Sequence, residues 1–178
     1  MHHYCLFCLT QRTEAISRLI ECRQECRVIS PKIVQRHREQ GKKVEKEYRY
    51  LPGYLFIYTE DPIDNFSSLR QMDGVVRQLG DLENGFELSG SDRTFSELLL
   101  QSNGLIGAQK VYQEGERIRL CEGLLTGLSG TITKVDRQYK RMQITFVFDG
   151  VERKVWTGYD VVAKPENDNK DYDLTSDN

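Results

Sequence analysis

Residues 49–60 read RYLPGYLFIYTE, a Pro-Gly pair set directly before a run crowded with aromatics. Strand side chains alternate, so Tyr54, Phe56 and Tyr58 share one face while Leu55, Ile57 and Thr59 share the other. Both faces are apolar enough to require cover. Helices of the same domain can supply it on one face, and the pattern leaves open whether the other face is core as well or is covered by something else.

Working outward, residues 4–9 read as a strand. Residues 12–26 read as a helix with Ile16, Leu19, Ile20 and Arg23 at helical spacing, and with Thr10 or Thr13 at its start. CRVISPKIVQ (26–35) follows as a strand interrupted by Pro31. RHREQGKKVEKE (36–47) reads as an exposed, charged hairpin tip; residues 32–49 carry seven basic and three acidic side chains. Beyond the opening strand, Asp61-Pro62 starts a helix with Ile63, Phe66 and Leu69 inward. A strand at 75–79 and a helix at 91–101, capped by Ser91 and burying Phe95, Leu98 and Leu99, complete the first domain. The order β-α-β-β-β-α-β-α predicts an α+β domain, a four-to-five-stranded sheet with helices packed on one face.

Residues 103–113 lose periodicity and read as a linker between a domain at 1–102 and another at 114–165. The second is purely strand-like: 117–121, 130–135, 142–148, 151–156 and 161–162, with Asp149-Gly150 as a two-residue hairpin turn. Five short strands in some 50 residues predict a small SH3-like barrel with no room for a substrate cavity. Residues 166–178 are polar and acidic, and are expected to be disordered.

The 178 residues are 38% hydrophobic and 29% charged. No apolar run approaches the ~20 residues that span a bilayer, and the N-terminus lacks a signal-peptide pattern, so a cytoplasmic protein is expected. Net charge is −2, divided as −1 over residues 1–108, +3 over 109–165 and −4 over 166–178. Cys5-x-x-Cys8 and Cys22-x-x-x-Cys26 invite a zinc reading, but an offset of three in a strand sends Cys5 and Cys8 to opposite faces, so no metal is expected. His2, His3 and His37 lack partners in any acid–base pattern, and no phosphate-cradling glycine loop is present. No enzyme and no cofactor is expected.

Residues 115–141, GERIRLCEGLLTGLSGTITKVDRQYKR, resemble a KOW motif through Gly123, Gly130 and Ile132. YRYLPGYLFIYTE resembles the central strand of the NusG N-terminal (NGN) domain, and LRQMDGVVRQLG the helix end and strand that follow it. Two matching domains in order, covering residues 3–163, resemble the NusG/Spt5-type transcription elongation factors. The resemblance implies a monomeric factor whose NGN domain docks on the clamp helices of the largest RNA polymerase subunit through Leu51, Pro52, Gly53 and Tyr54. It also implies non-template DNA opposite Gln71 and Met72, and ribosomal protein S10 or Rho at Leu125 and Leu128.

DRQYKR followed by VERKVWTGYDVV most resembles the specialised LoaP-type branch. That likeness implies processive antitermination and recruitment by a hairpin in the nascent RNA. The residues fit such a role independently: Lys134, Arg137, Lys140 and Arg141 surround Tyr139, with Arg153 and Lys154 on a later strand. Cations neutralise phosphates and the tyrosine can stack on a base. The alternatives are a general NusG-like factor coupling polymerase to ribosomal protein S10 or Rho, and a ribosome-associated KOW protein.

Overall fold

The computed structural model describes residues 1–23, 25–63, 67–80, 85–115, 117–128 and 130–164. The expected disorder of 166–178 and the inward placing of Phe66 lie outside these residues. Two compact units divide the chain. One joins residues 1–32 to 49–105; the other joins 33–48 to the residues from 106 onward. The boundaries differ from the expected 1–102 and 114–165 because residues 33–48 group with the second unit.

In the first unit, β1 (His2–Cys8), β2 (Cys26–Ile29), β5 (Tyr54–Thr59) and β6 (Val75–Gln78) form a sheet of order β2-β5-β1-β6. β1 runs antiparallel to β5, with Tyr4 opposite Ile57, Cys5 opposite Phe56 and Leu6 opposite Leu55. Tyr4, Leu6, Cys8, Leu55 and Ile57 pack with Ile16 and Ile20 of α1 (Thr13–Arg23) and Leu69 of α2 (Ser67–Arg70). Leu19, expected inward on α1, is 46% exposed. Cys5 and Cys8 do take opposite faces; Cys8 lies in this core, and burial pushes its thiol pKa up to about 11.

The aromatic face of β5 belongs to α3 (Gly90–Gln101). Phe56 meets Phe95 edge to face, with ring centroids 5.8 Å apart. The Tyr58 hydroxyl donates to the Ser96 carbonyl at 2.9 Å, and His3 Nδ1 lies 3.0 Å from Ser96 Oγ. All six residues of β5 are buried. Helices thus cover both faces of this sheet rather than one, and the chain itself supplies the cover that the opening stretch demanded. Burying each aromatic side chain contributes roughly 1.5–3 kcal/mol. α3 begins at Gly90 after Ser89, so Ser91 lies within the helix and is not its cap.

β3 (Lys32–Glu39) and β4 (Lys42–Arg49) make the charged stretch into a full hairpin, larger than the expected tip. Its turn places Gln40 and Gly41 at φ 49° and 80°, the left-handed pair of a two-residue hairpin loop. With β7 (Leu105–Ile106) it forms a three-stranded sheet of order β4-β3-β7.

The second unit's main sheet contains β8 (Gln109–Glu114), β9 (Arg117–Glu122), β10 (Thr131–Asp136), β11 (Arg141–Phe148) and β12 (Val151–Val161), in the order β10-β11-β12-β8-β9. β12 and β8 are parallel; the other pairs are antiparallel. Residues 105–106 and 109–114 are therefore strands and not a linker. Met142, Ile144, Phe146 and Phe148 are buried while Arg141, Gln143, Thr145 and Val147 point away from the core. Asp149 and Gly150 form the expected turn at φ 56° and 66°.

Candidate nucleic-acid interface

The outward face of β10, β11 and β12 gathers the polar and aromatic side chains. Across β11 and β12, Gln143 faces Trp156 and Thr145 faces Lys154. Across β10 and β11, Lys134 faces Gln143 and Asp136 faces Arg141. The register shifts between Ile132 and Lys134, and Thr133 there hydrogen-bonds Gln143 Oε1 at 3.2 Å and lies 3.3 Å from Thr145 Oγ1.

Residues 137–140 turn the chain from β10 to β11. The Tyr139 N–H donates to Asp136 Oδ1 at 3.1 Å, and Lys140 sits at φ 49°. Arg141 Nε donates to Asp136 Oδ2 at 3.0 Å. Its guanidinium carbon lies over the Tyr139 ring, 5.2 Å from the centroid, and over the Trp156 ring at 5.1 Å. The Tyr139 N–H and then Arg141 hold the Asp136 carboxyl below its ordinary pKa. Each exposed cation–π contact is worth about 0.5–1 kcal/mol. Lys154 is 3.3 Å from Glu152, whereas Lys134 and Lys140 form no ion pair among the described residues. The face therefore offers cations for phosphates and aromatic rings for planar groups.

At the Pro-Gly corner of the first unit, the Tyr54 N–H donates to Leu51 O at 3.1 Å. Pro52 and Gly53, the latter at φ 93°, are the central pair of a type II turn. A Cβ on Gly53 would lie 2.6 Å from Cys8 O, and the Cys8 N–H donates to Gly53 O at 2.8 Å. Leu51, directly before proline, is held at φ 51°, a strained value for a leucine. The Tyr54 ring packs on Phe7, centroids 4.9 Å apart. Beside the corner Leu9 is 46% exposed, its N–H bound to Gly74 O at 2.8 Å.

A family model described as transcription termination factor nusG matches residues 1–95. The chain belongs to the NusG family. The transcription termination/antitermination protein NusG of Thermus thermophilus is 26% identical over 138 residues, covering 71% of this chain and 73% of that protein. Its counterpart from Pasteurella multocida is 24% identical over 127 residues, covering 70% and 69%. A solved structure described as domain interaction in Thermotoga maritima NusG superposes with a TM-score of 0.54 over 88% of this chain and 93% of that one, at 15% identity. NusG-family proteins are transcription factors and not enzymes. The α+β first unit and the five-stranded second unit accord with the NGN and KOW arrangement of that fold. No described helix is long and apolar enough to cross a membrane.

Within this NusG-family chain the expected site residues fare unequally. Lys134, Arg137, Tyr139, Lys140, Arg141 and Lys154 are exposed on β10–β12 and their turn. Arg153 is not among them: it pairs with buried Phe146, on the opposite side of the strand, and its Nε is buried. Trp156, which the sequence reading left out, joins the face; continuing the alternation outward from Val155 would have found it.

Three further expectations are corrected. Leu51 and Tyr54 are only 5% and 6% exposed and Gly53 is buried, because Tyr54 folds onto Phe7 and the turn closes on Cys8. Of the four corner residues only Pro52 is exposed, so the bare aromatic patch is absent. Leu125 and Leu128 are 1% and 6% exposed, since the Leu125 N–H is drawn inward to Gln109 Oε1 at 2.9 Å; they are core side chains in this structure. Gln71 is exposed, but Met72 packs partly buried against the first unit's core.

Proposed function

We propose that this chain is a transcription elongation and antitermination factor of the LoaP type, which engages RNA polymerase through its first unit and a nascent RNA hairpin through its second. Membership of the NusG family supports the transcriptional role. The observation that carries the RNA part is the Arg141 guanidinium over Tyr139 and Trp156, flanked by Lys134, Lys140 and Lys154 on an exposed sheet face. A protein-docking module would not need that combination. Burial of Leu125 and Leu128 weighs against the general-factor alternative, in which these side chains meet ribosomal protein S10 or Rho.

The polymerase contact moves from Leu51 and Tyr54 to the rim around them: Pro52, Leu9 and half-buried Phe7, with the clamp helices as partner. The rigid type II turn pre-organises that rim at small entropic cost. Purified RNA polymerase transcribing through an intrinsic terminator provides the test. Added protein should co-elute with polymerase and raise read-through, and the double variant Leu9→Asp/Pro52→Asp should lose both. Co-sedimentation with ribosomes and no effect on polymerase would overturn this reading in favour of a ribosome-associated KOW protein.

A further inference from the structure

We propose that Tyr139, Arg141 and Trp156 form a stacking platform for unpaired RNA nucleotides, so that the second unit takes the loop of a transcript hairpin in preference to its stem. The inference rests on the RNA reading above and specifies which part of an RNA is recognised. Arg141 is fixed by Asp136 at 3.0 Å and lies over both rings, so the planar groups are ordered before any ligand arrives. Tyr139 remains 43% exposed and Trp156 is partly buried, leaving most of the free ring surface for a base on Tyr139 and the outer part of Trp156.

Gln143 stands across the strand pair from Trp156 and presents an amide, which both donates and accepts. The Thr133 and Thr145 hydroxyls lie next to it. Such a row suits base edges and the 2′-hydroxyl, the group that separates RNA from DNA. Lys134 and Lys140, without ion pairs among the described residues, flank the platform as phosphate contacts. A continuous stem keeps its base faces stacked within the helix, so it engages the cations and the polar row but not the rings. An unpaired loop engages the cations and the rings together.

Trp156 is the chain's single tryptophan, so its emission reports on the platform alone. The full chain is titrated with an end-labelled RNA hairpin carrying a randomised loop, with the same stem as a blunt RNA duplex, and with the matching DNA hairpin. Label anisotropy reads binding; tryptophan emission reads stacking. The expected result is that the RNA hairpin binds and quenches Trp156 while the duplex binds more weakly without quenching. Tyr139→Ala should weaken the hairpin about tenfold and leave the duplex within about twofold. Arg141→Lys, which keeps the charge and loses the plane, should likewise weaken the hairpin selectively. Hairpin binding with unchanged Trp156 emission, or equal quenching by the duplex, overturns the platform while the RNA reading stands. Equal quenching by the DNA hairpin overturns the assignment to RNA. Absence of binding by any RNA overturns both readings.

Discussion

His3 illustrates how one residue's chemistry follows from its place in the sheet. It points to the α3 face, 3% exposed, with Nδ1 on Ser96 Oγ and its ring edge-on to Tyr58 at 4.9 Å. Burial, and then the positive charge of Arg93, lower its pKa from 6.5 to about 4, against the opposing pull of Glu97 and Glu87. An unfolded chain therefore binds this proton at a higher pH than the folded one. The stability tied to neutral His3 is complete above pH 6.5, is lost as pH falls from 6.5 toward about 4, and falls no further below that. Its size is on the order of 3 kcal/mol. Urea unfolding of wild type and His3→Gln at neutral and acidic pH isolates it, since the carboxylates away from His3 titrate equally in both. The wild type should lose more stability than the variant over that window; equal losses would show that His3 does not titrate across it. The strand read at 4–9 stopped short of His3, and nothing in the sequence announced that Ser96, 93 residues away, would receive the imidazole.

Elements were legible where a period ran uninterrupted and obscure where a partner decided the outcome. The strand at 54–59 and the turn at Asp149-Gly150 follow from alternation and turn chemistry alone. β8 did not, because buried polar Gln109 and the bulge between Lys110 and Val111 break its pattern. The cover of the aromatic face by α3 could not be read either, since periodicity identifies an apolar stripe and not the surface that meets it. The β3–β4 hairpin shows the same limit. Its charges read as solvated, yet Arg36 forks onto both Asp160 oxygens at 2.8 and 3.0 Å, donates to Tyr159 O at 3.2 Å and pairs with Glu45 at 3.0 Å. Hydrogen bonding to Asp160, ahead of that to Glu45, raises the guanidinium's pKa. Such a bidentate fork is stronger than an ordinary surface pair, about 1–2 kcal/mol where half-exposed. Arg36→Ala should release the hairpin from β12, read as faster amide exchange across 33–48 with β11 protection retained. Arg36→Lys should restore only part of it, because an ammonium cannot bridge the two oxygens in plane. Unaltered exchange in Arg36→Ala would mean that backbone pairing alone holds the hairpin.

For the whole molecule, charge decides how selective an RNA-binding face can be. The chain's net charge is −2, although residues 109–165 carry +3. Residues 166–178, with one basic and five acidic side chains, reverse the sign; a chain ending before them has net charge +2. Nonspecific RNA affinity comes from phosphate neutralisation and falls with salt. If Lys134, Arg137 and Lys140 meet three phosphates, the slope of log affinity against log salt is about −2, near −0.7 per contact. Loss of 166–178 should then raise affinity for random RNA several-fold at low salt. The gain should fade above about 0.1 M, where the Debye length shortens to ~10 Å. Above that concentration both chains should share a slope near −2, because screened acidic residues no longer repel RNA and do not occupy its phosphate contacts. A truncated chain whose slope stays markedly steeper above about 0.1 M would mean that the acidic segment competes for those cations directly, as a tethered mimic of the RNA backbone. Measuring anisotropy at several salt concentrations for both chains separates long-range repulsion from occupancy, since only occupancy changes the number of ions released.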